Sequence, residues 1–178
     1  VVTVADITTQ SILFNALGIQ PDEASAARLP TQTVGYRVVV PDREAALTTP
    51  RVEPAEGDGL RVSRTLARHA AVADQWYANP RYILDPEVSR LTPHDRELLI
   101  LRTGWNAQSV YEWAKHVGSV GRARDHGLDP ERIALGPDAG WTDVEQAHLH
   151  AADEIYRDGI ISNDTWSALA AQYDTREM

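Results

Sequence analysis

The 178-residue sequence contains no cysteine. That removes disulfide bonds, thiolate metal ligands and thiol redox chemistry, and it is compatible with a reducing cytoplasm, the expected location. Basic residues are also scarce: 17 Lys and Arg against 26 Asp and Glu leave a formal charge of -9. A surface of that sign argues against nucleic acid and anionic membrane as partners and favours a small-molecule substrate or a protein. No apolar run is long enough to span a bilayer. The richest one, Val1 to Gly18, is interrupted by Asp6, Gln10 and Asn15 and falls short of the roughly 20 apolar residues a membrane helix needs. No basic segment precedes it, as a signal peptide requires, and the absence of an initiating methionine suggests a processed or excerpted N-terminus. There is no parallel-strand pattern, no glycine-rich phosphate loop and no HExxH-type metal motif.

What is present is helical. A hydrophobic content of 43% without low-complexity segments is enough for one core. The organising stretch is LTPHDRELLILRTGWNAQSVYEWAKHVGSVGRARDHG, Leu91 to Gly127. Thr92 is placed to cap a helix whose first position is Pro93, with Asp95 at the acidic place of a capping box. Leu98, Leu99, Leu101 and Trp105 give this helix an apolar face, and Gly104 with Asn106 weakens its end. A second helix is expected over about Gln108 to His126, with Gly127 as its C′ residue. On it Ser109, Glu112, Trp113 and His116 share one sector, and Glu112 and His116, four apart, can touch. A tight helical hairpin would add Glu97 from the first helix. These are the candidate catalytic residues. The same spacing also suits an ordinary surface pair, and two glutamates with a histidine can hold a metal ion.

Several segments of this region resemble one family. RELLILRTGWNAQSVYEWAKH, GLDPERIA and AADEIYRDGIISNDTWSALAAQYDTREM are similar, in order, to the carboxymuconolactone decarboxylase-like proteins, which share an all-α fold with alkylhydroperoxidase D. In the peroxidase branch a Glu is followed by a CxxC pair and by a His four residues beyond the second Cys. Here that pattern falls on Glu97, Ser109, Glu112 and His116, with oxygen side chains at both cysteine positions. Thiol peroxidase activity is therefore excluded for this sequence. The resemblance then implies cofactor-free lyase or isomerase chemistry, by proton transfer, on a small carboxylated lactone or β-keto acid. It also implies trimeric or hexameric assemblies.

The resemblance divides the chain into a closing helix over residues 1–18, an extended linker over 19–58 and a helical domain over 59–178. In the family the segment matching YDTREM is followed by a further apolar helix, and Val1 to Gly18 looks like that helix moved to the front. A half of a tandem-repeat protein, a circular permutation and helix exchange between subunits all produce this order; the first is favoured, and a plain N-terminal core helix is the simpler alternative. In the linker, GYRVVVP suggests a short strand or arm, and Arg37, Arg43 and Arg51 suit either docking on an acidic partner surface or, the favoured reading, a solvated linker. Residues Gly59 to Ala78 read as one core helix with His69 near its apolar stripe, where it can line the pocket, although a lone histidine there is more often a hydrogen-bonded structural residue. The following NPRYILDPEVSRL, with two prolines, reads as irregular. Asp129–Pro130 starts a short helix, Thr142 and Glu145 form a capping box for a helix closed by Gly159, and Ser162 or Asn163 starts the last one.

For chemistry, His116 is expected to exchange protons near neutrality, with Glu112 orienting its ring and Glu97 tuning the pair. Ser109 and Tyr111 are candidate donors to a substrate carbonyl or enolate oxygen; Trp113 and His69 complete the candidate substrate-binding set. A non-catalytic binding or scaffolding protein and a metal-dependent hydrolase remain as alternatives.

Overall fold

A computed structural model describes residues 2–17, 19, 50–85, 87, 89 and 91–174. The described residues form α-helices and one short 3-10 helix, with no strand among them. The fold is an all-α bundle. Its helices are α1 (Val2–Leu17), α2 (Arg61–Leu66), α3 (Ala70–Leu84), α4 (Pro93–Asn106), α5 (Val110–Val117), α6 (Pro130–Leu135), α7 (Asp143–Asp158) and α8 (Asn163–Ala170), with the 3-10 helix at Ala123–His126.

The bundle is arranged around α4. Thr92 caps it by accepting from the Asp95 amide at 3.1 Å, and Pro93 occupies its first turn, where the missing amide proton costs nothing. From Glu97 to Asn106 every residue of this helix is buried. That requires cover on all sides, which α1, α5, α6, α7 and the 3-10 helix supply. Leu98, Leu101 and Trp105 meet Trp113, Ala123, Leu128, Ile133 and Leu149 in the main core. Each large side chain removed from water there contributes about 1.5–3 kcal/mol.

Burial on all sides forces α4 to bury charge as well. The Arg102 guanidinium is bidentate to Asp153 of α7, with Nε to Oδ1 at 2.6 Å and Nη2 to Oδ2 at 2.9 Å. Its Nη1 donates to the carbonyls of Ile133 and Ala134 at the end of α6. Asn106 donates to the same Asp153 oxygen at 2.7 Å. Arg102 and Asp153 are both about 1% exposed, so this is a paired, hydrogen-bonded ionic network in the interior.

The N-terminal helix lies against the bundle. It packs against α4, α5 and α7, and Phe14 joins Ile19, Val62, Leu66 and Tyr111 in a second cluster. Ile12, on the opposite side of α1, is exposed. Arg51 covers the end of α1, its amide donating to the Leu17 carbonyl and its guanidinium to that of Ala16. Of the arginines considered for docking on a partner, Arg51 therefore serves its own chain; Arg37, Arg43 and the GYRVVVP segment lie outside the described residues. Residues 50–58 carry no helix or strand.

Three helix boundaries differ from those expected. The helix predicted over Gly59 to Ala78 breaks at Ala67–His69, where α2 ends, and α3 begins at Ala70. α3 then continues through Pro80 to Leu84, a segment expected to be irregular; Pro80 removes one rung of the hydrogen-bond ladder without ending the helix. α5 stops at Val117, less than half the expected length, because Gly118 leaves helical geometry, and Gly121 then lies against Glu97 of α4. Gly127 is indeed a left-handed terminator, but of the 3-10 helix. Elsewhere the expected starts hold: Asp129 caps α6, Thr142 and Glu145 form a reciprocal capping box on α7, Gly159 ends α7 in left-handed geometry, and Ser162 caps α8.

Candidate active site

The connection from α4 to α5 places the site. It is tight: Gln108 takes a left-handed conformation, φ 52°, and the Ser109 amide donates to the Gly104 carbonyl at 2.9 Å. A β-carbon at Gly104 would lie 3.4 Å from Cβ of Glu112, so α5 crosses close above that glycine. Ser109 then caps α5 through the Glu112 amide. Glu112 sits in the first turn, where the helix dipole favours a carboxylate. His116 sits in the last, where it favours a cation.

The predicted hairpin does bring Glu97, Glu112 and His116 together. His116 Nδ1 is 2.6 Å from Glu97 Oε2, and its Nε2 is 3.4 Å from Glu112 Oε2. The three residues are 3%, 5% and 8% exposed. The imidazole thus lies between two carboxylates, but unequally. The short contact comes from Glu97, so Glu97 holds the ring and Glu112 faces its looser nitrogen, the reverse of the division of roles expected above. Burial is the largest single influence on His116 and lowers its pKa. The Glu97 hydrogen bond and the charges of Glu112 and Glu97 together outweigh it, Arg96 opposes them, and the net shift is upward from 6.5.

Gly121 makes this contact possible, and sequence reasoning missed it. A β-carbon there would lie 2.1 Å from Glu97 Oε2, 2.6 Å from the His116 carbonyl oxygen and 2.8 Å from the His116 Cα. Only a residue without a side chain can lie across the pair. The run Val117-Gly118-Ser119-Val120-Gly121, inside what read as one helix, was the available signal.

The other candidate residues have structural positions. Ser109 is fully buried as the cap of α5, and its Ser-x-x-Glu spacing with Glu112 is a helix-start pattern visible in the sequence. Tyr111 turns away from the cluster: its ring packs edge-on against Phe14 at 5.2 Å, and its hydroxyl accepts from the Val62 amide at the start of α2. Trp113 lies in the main core beside Trp105. His69 is exposed on the turn between α2 and α3, because the break there takes it off the buried stripe. Among the described residues no group of three or more His, Asp and Glu side chains is disposed to share a metal ion.

No family model, curated protein or solved structure matches this chain. No described helix is long and apolar enough to cross a membrane.

The raised pKa of His116 has a stability consequence. With the folded value above the unfolded one, the cluster's contribution is fully present below the unfolded value, about 6.5, and is lost as pH rises through the folded value. Urea unfolding of the wild type and His116→Gln, from about pH 5 to about pH 9, should show a stability difference that shrinks as pH rises. A difference independent of pH would mean that the imidazole is neutral throughout.

Proposed function

We propose that this protein is a cofactor-free lyase or isomerase that works by general acid/base catalysis on a small carboxylated lactone or β-keto acid, as its resemblance to the carboxymuconolactone decarboxylase-like proteins implies. The observation that carries this reading is the buried imidazole held between two carboxylates. Glu97 fixes the ring through Nδ1, which directs Nε2 at the working side. Held as an imidazolium, His116 is a proton donor near neutrality. Loss of carbon dioxide from a β-keto acid or its vinylogue breaks the carbon–carboxyl bond and moves its electron pair into an enolate. Protonation of that enolate at carbon by Nε2–H completes the exchange. Glu112, 3.4 Å from Nε2, is the carboxylate that takes up a proton when the substrate must first lose one. The proposed setting is a homo-oligomer or a tandem-repeat partner, which light scattering on the native protein tests.

Glu112→Gln and His116→Ala should each reduce turnover of a carboxylated lactone or β-keto acid by about 100- to 10,000-fold, with the helical circular dichroism unchanged. A folded variant that turns substrate over at the wild-type rate would remove its residue from the mechanism. The near-closure of the cluster favours a second reading, a non-catalytic bundle in which the acid–histidine pair pins α4 to α5. In that case the wild type turns over none of these substrates, while the same variants still lower the unfolding midpoint.

A further inference from the structure

Residues 118–127 are seated on α4 at two points one helical turn apart. At one, Gly121 lies against the Glu97 carboxylate. At the other, His94, three residues before Glu97 and so on the same side of α4, meets the end of the 3-10 helix: its Nδ1 is 2.8 Å from the His126 carbonyl oxygen. The second ring nitrogen, Nε2, is 2.8 Å from Glu145 Oε1 of α7. A carbonyl and a carboxylate can only accept. Both contacts are therefore satisfied together only when both ring nitrogens carry protons.

We infer that His94 is a positioning residue that, in its doubly protonated form, fastens residues 118–127 to α4 and so keeps Gly121 pressing Glu97 onto His116. When His94 loses a proton, one nitrogen becomes an acceptor facing an acceptor. The remaining N–H makes its stronger bond to the charged Glu145 oxygen. The bond given up is then the one to His126, and the segment over the Glu97–His116 pair loosens.

The surroundings of His94 support this assignment. Asp95 on its own helix, Glu145 and His148 on α7, and the His126 carbonyl are the groups around it. Burial acts most strongly on His94 and lowers its pKa, but the bonds to His126 and Glu145 and the charges of Glu145 and Asp95 carry it above 6.5. His148 is held the other way, its burial outweighing Asp95 at 3.8 Å and keeping it neutral at lower pH. Glu145 stays in place whichever form His94 takes, since its other oxygen accepts from the Thr142 amide in the capping box. The inference concerns the placement of the Glu97–His116 pair, whatever that pair does, and its test involves no turnover.

The experiment is amide hydrogen exchange with NMR titration of His116 on the full chain. In the wild type, protection of the Gly121, Gly127 and Leu128 amides should fall on the order of tenfold as His94 deprotonates, with a matching step in the His116 ring shift. His94→Gln carries a single side-chain amide and cannot donate to both acceptors as the imidazolium does. It should show the lowered protection at every pH and no step. Glu145→Gln keeps the capping box through its amide oxygen and turns its amide N–H toward Nε2, so neutral His94 satisfies both contacts, and protection should persist with no step. Wild-type protection that is the same on both sides of the His94 titration would overturn the inference, as would a step that remains in Glu145→Gln. If His94→Gln does not fold, the Glu145→Gln result decides alone.

Discussion

Gly121→Ala is expected to separate Glu97 from His116. The new methyl would lie 2.1 Å from the Glu97 oxygen that holds the ring, and 2.6 Å and 2.8 Å from backbone atoms of His116. A glutamate tip can swing away, but the backbone of α5 cannot without moving the helix, so the carboxylate yields and the 118–127 segment lifts as well. Overpacking of this kind costs about 1–3 kcal/mol, visible as a lower urea midpoint. The more specific result is electrostatic. Without the Glu97 hydrogen bond His116 loses the strongest of the influences that offset its burial, and its pKa should fall from its raised value. An NMR titration of His116 reads this directly. An unshifted histidine in the folded variant would mean that the close packing of Gly121 does not hold the pair together.

The second large effect belongs to the buried ion pair. Asp153→Ala removes the carboxylate that is bidentate to the Arg102 guanidinium and accepts from Asn106. It leaves a nearly inaccessible positive charge without its bidentate carboxylate. Breaking a pair of this kind by removing one member costs about 3–5 kcal/mol, a large share of the roughly 5–15 kcal/mol that holds a domain of this size together. Replacing both members, Arg102→Met with Asp153→Leu, should recover part of that loss, because no charge is then stranded. Recovery stays incomplete, since the Ile133 and Ala134 carbonyls lose their donors. Urea unfolding of the single and double variants measures both steps. A single-variant loss below about 1 kcal/mol would mean that water reaches Arg102 and the network is open.

The two sites were unequally visible in the sequence, for physical reasons. Thr92, Pro93 and Asp95 announce α4, and Thr142 with Glu145 announces α7, because capping is local chemistry within four residues. The meeting of Glu97 with His116 was legible too, since a short connection after Gly104 leaves little choice but a hairpin. Arg102 and Asp153 were not legible. They are 51 residues apart, and a charged residue destined for the interior has the same composition signature as one on a solvated face. Trp113 lies near His116 in helical projection, but its ring follows Trp105 of α4, a neighbour that periodicity does not name, and Tyr111, about 140° round the helix from His116, packs on Phe14 of α1.

The spacing of Glu97 and Arg102 along α4 separates two duties that many small proteins combine. Five residues of helix rotate the one about 140° from the other and set them on the order of 8 Å apart along the axis. Glu97 meets His116 and Arg96, whereas Arg102 meets Asp153 and the carbonyls of Ile133 and Ala134. Substitutions in the two clusters should therefore act additively. Descendants of this sequence are free to rewrite the acid–histidine cluster, acquiring another reaction or none, while the arginine cluster goes on holding the bundle.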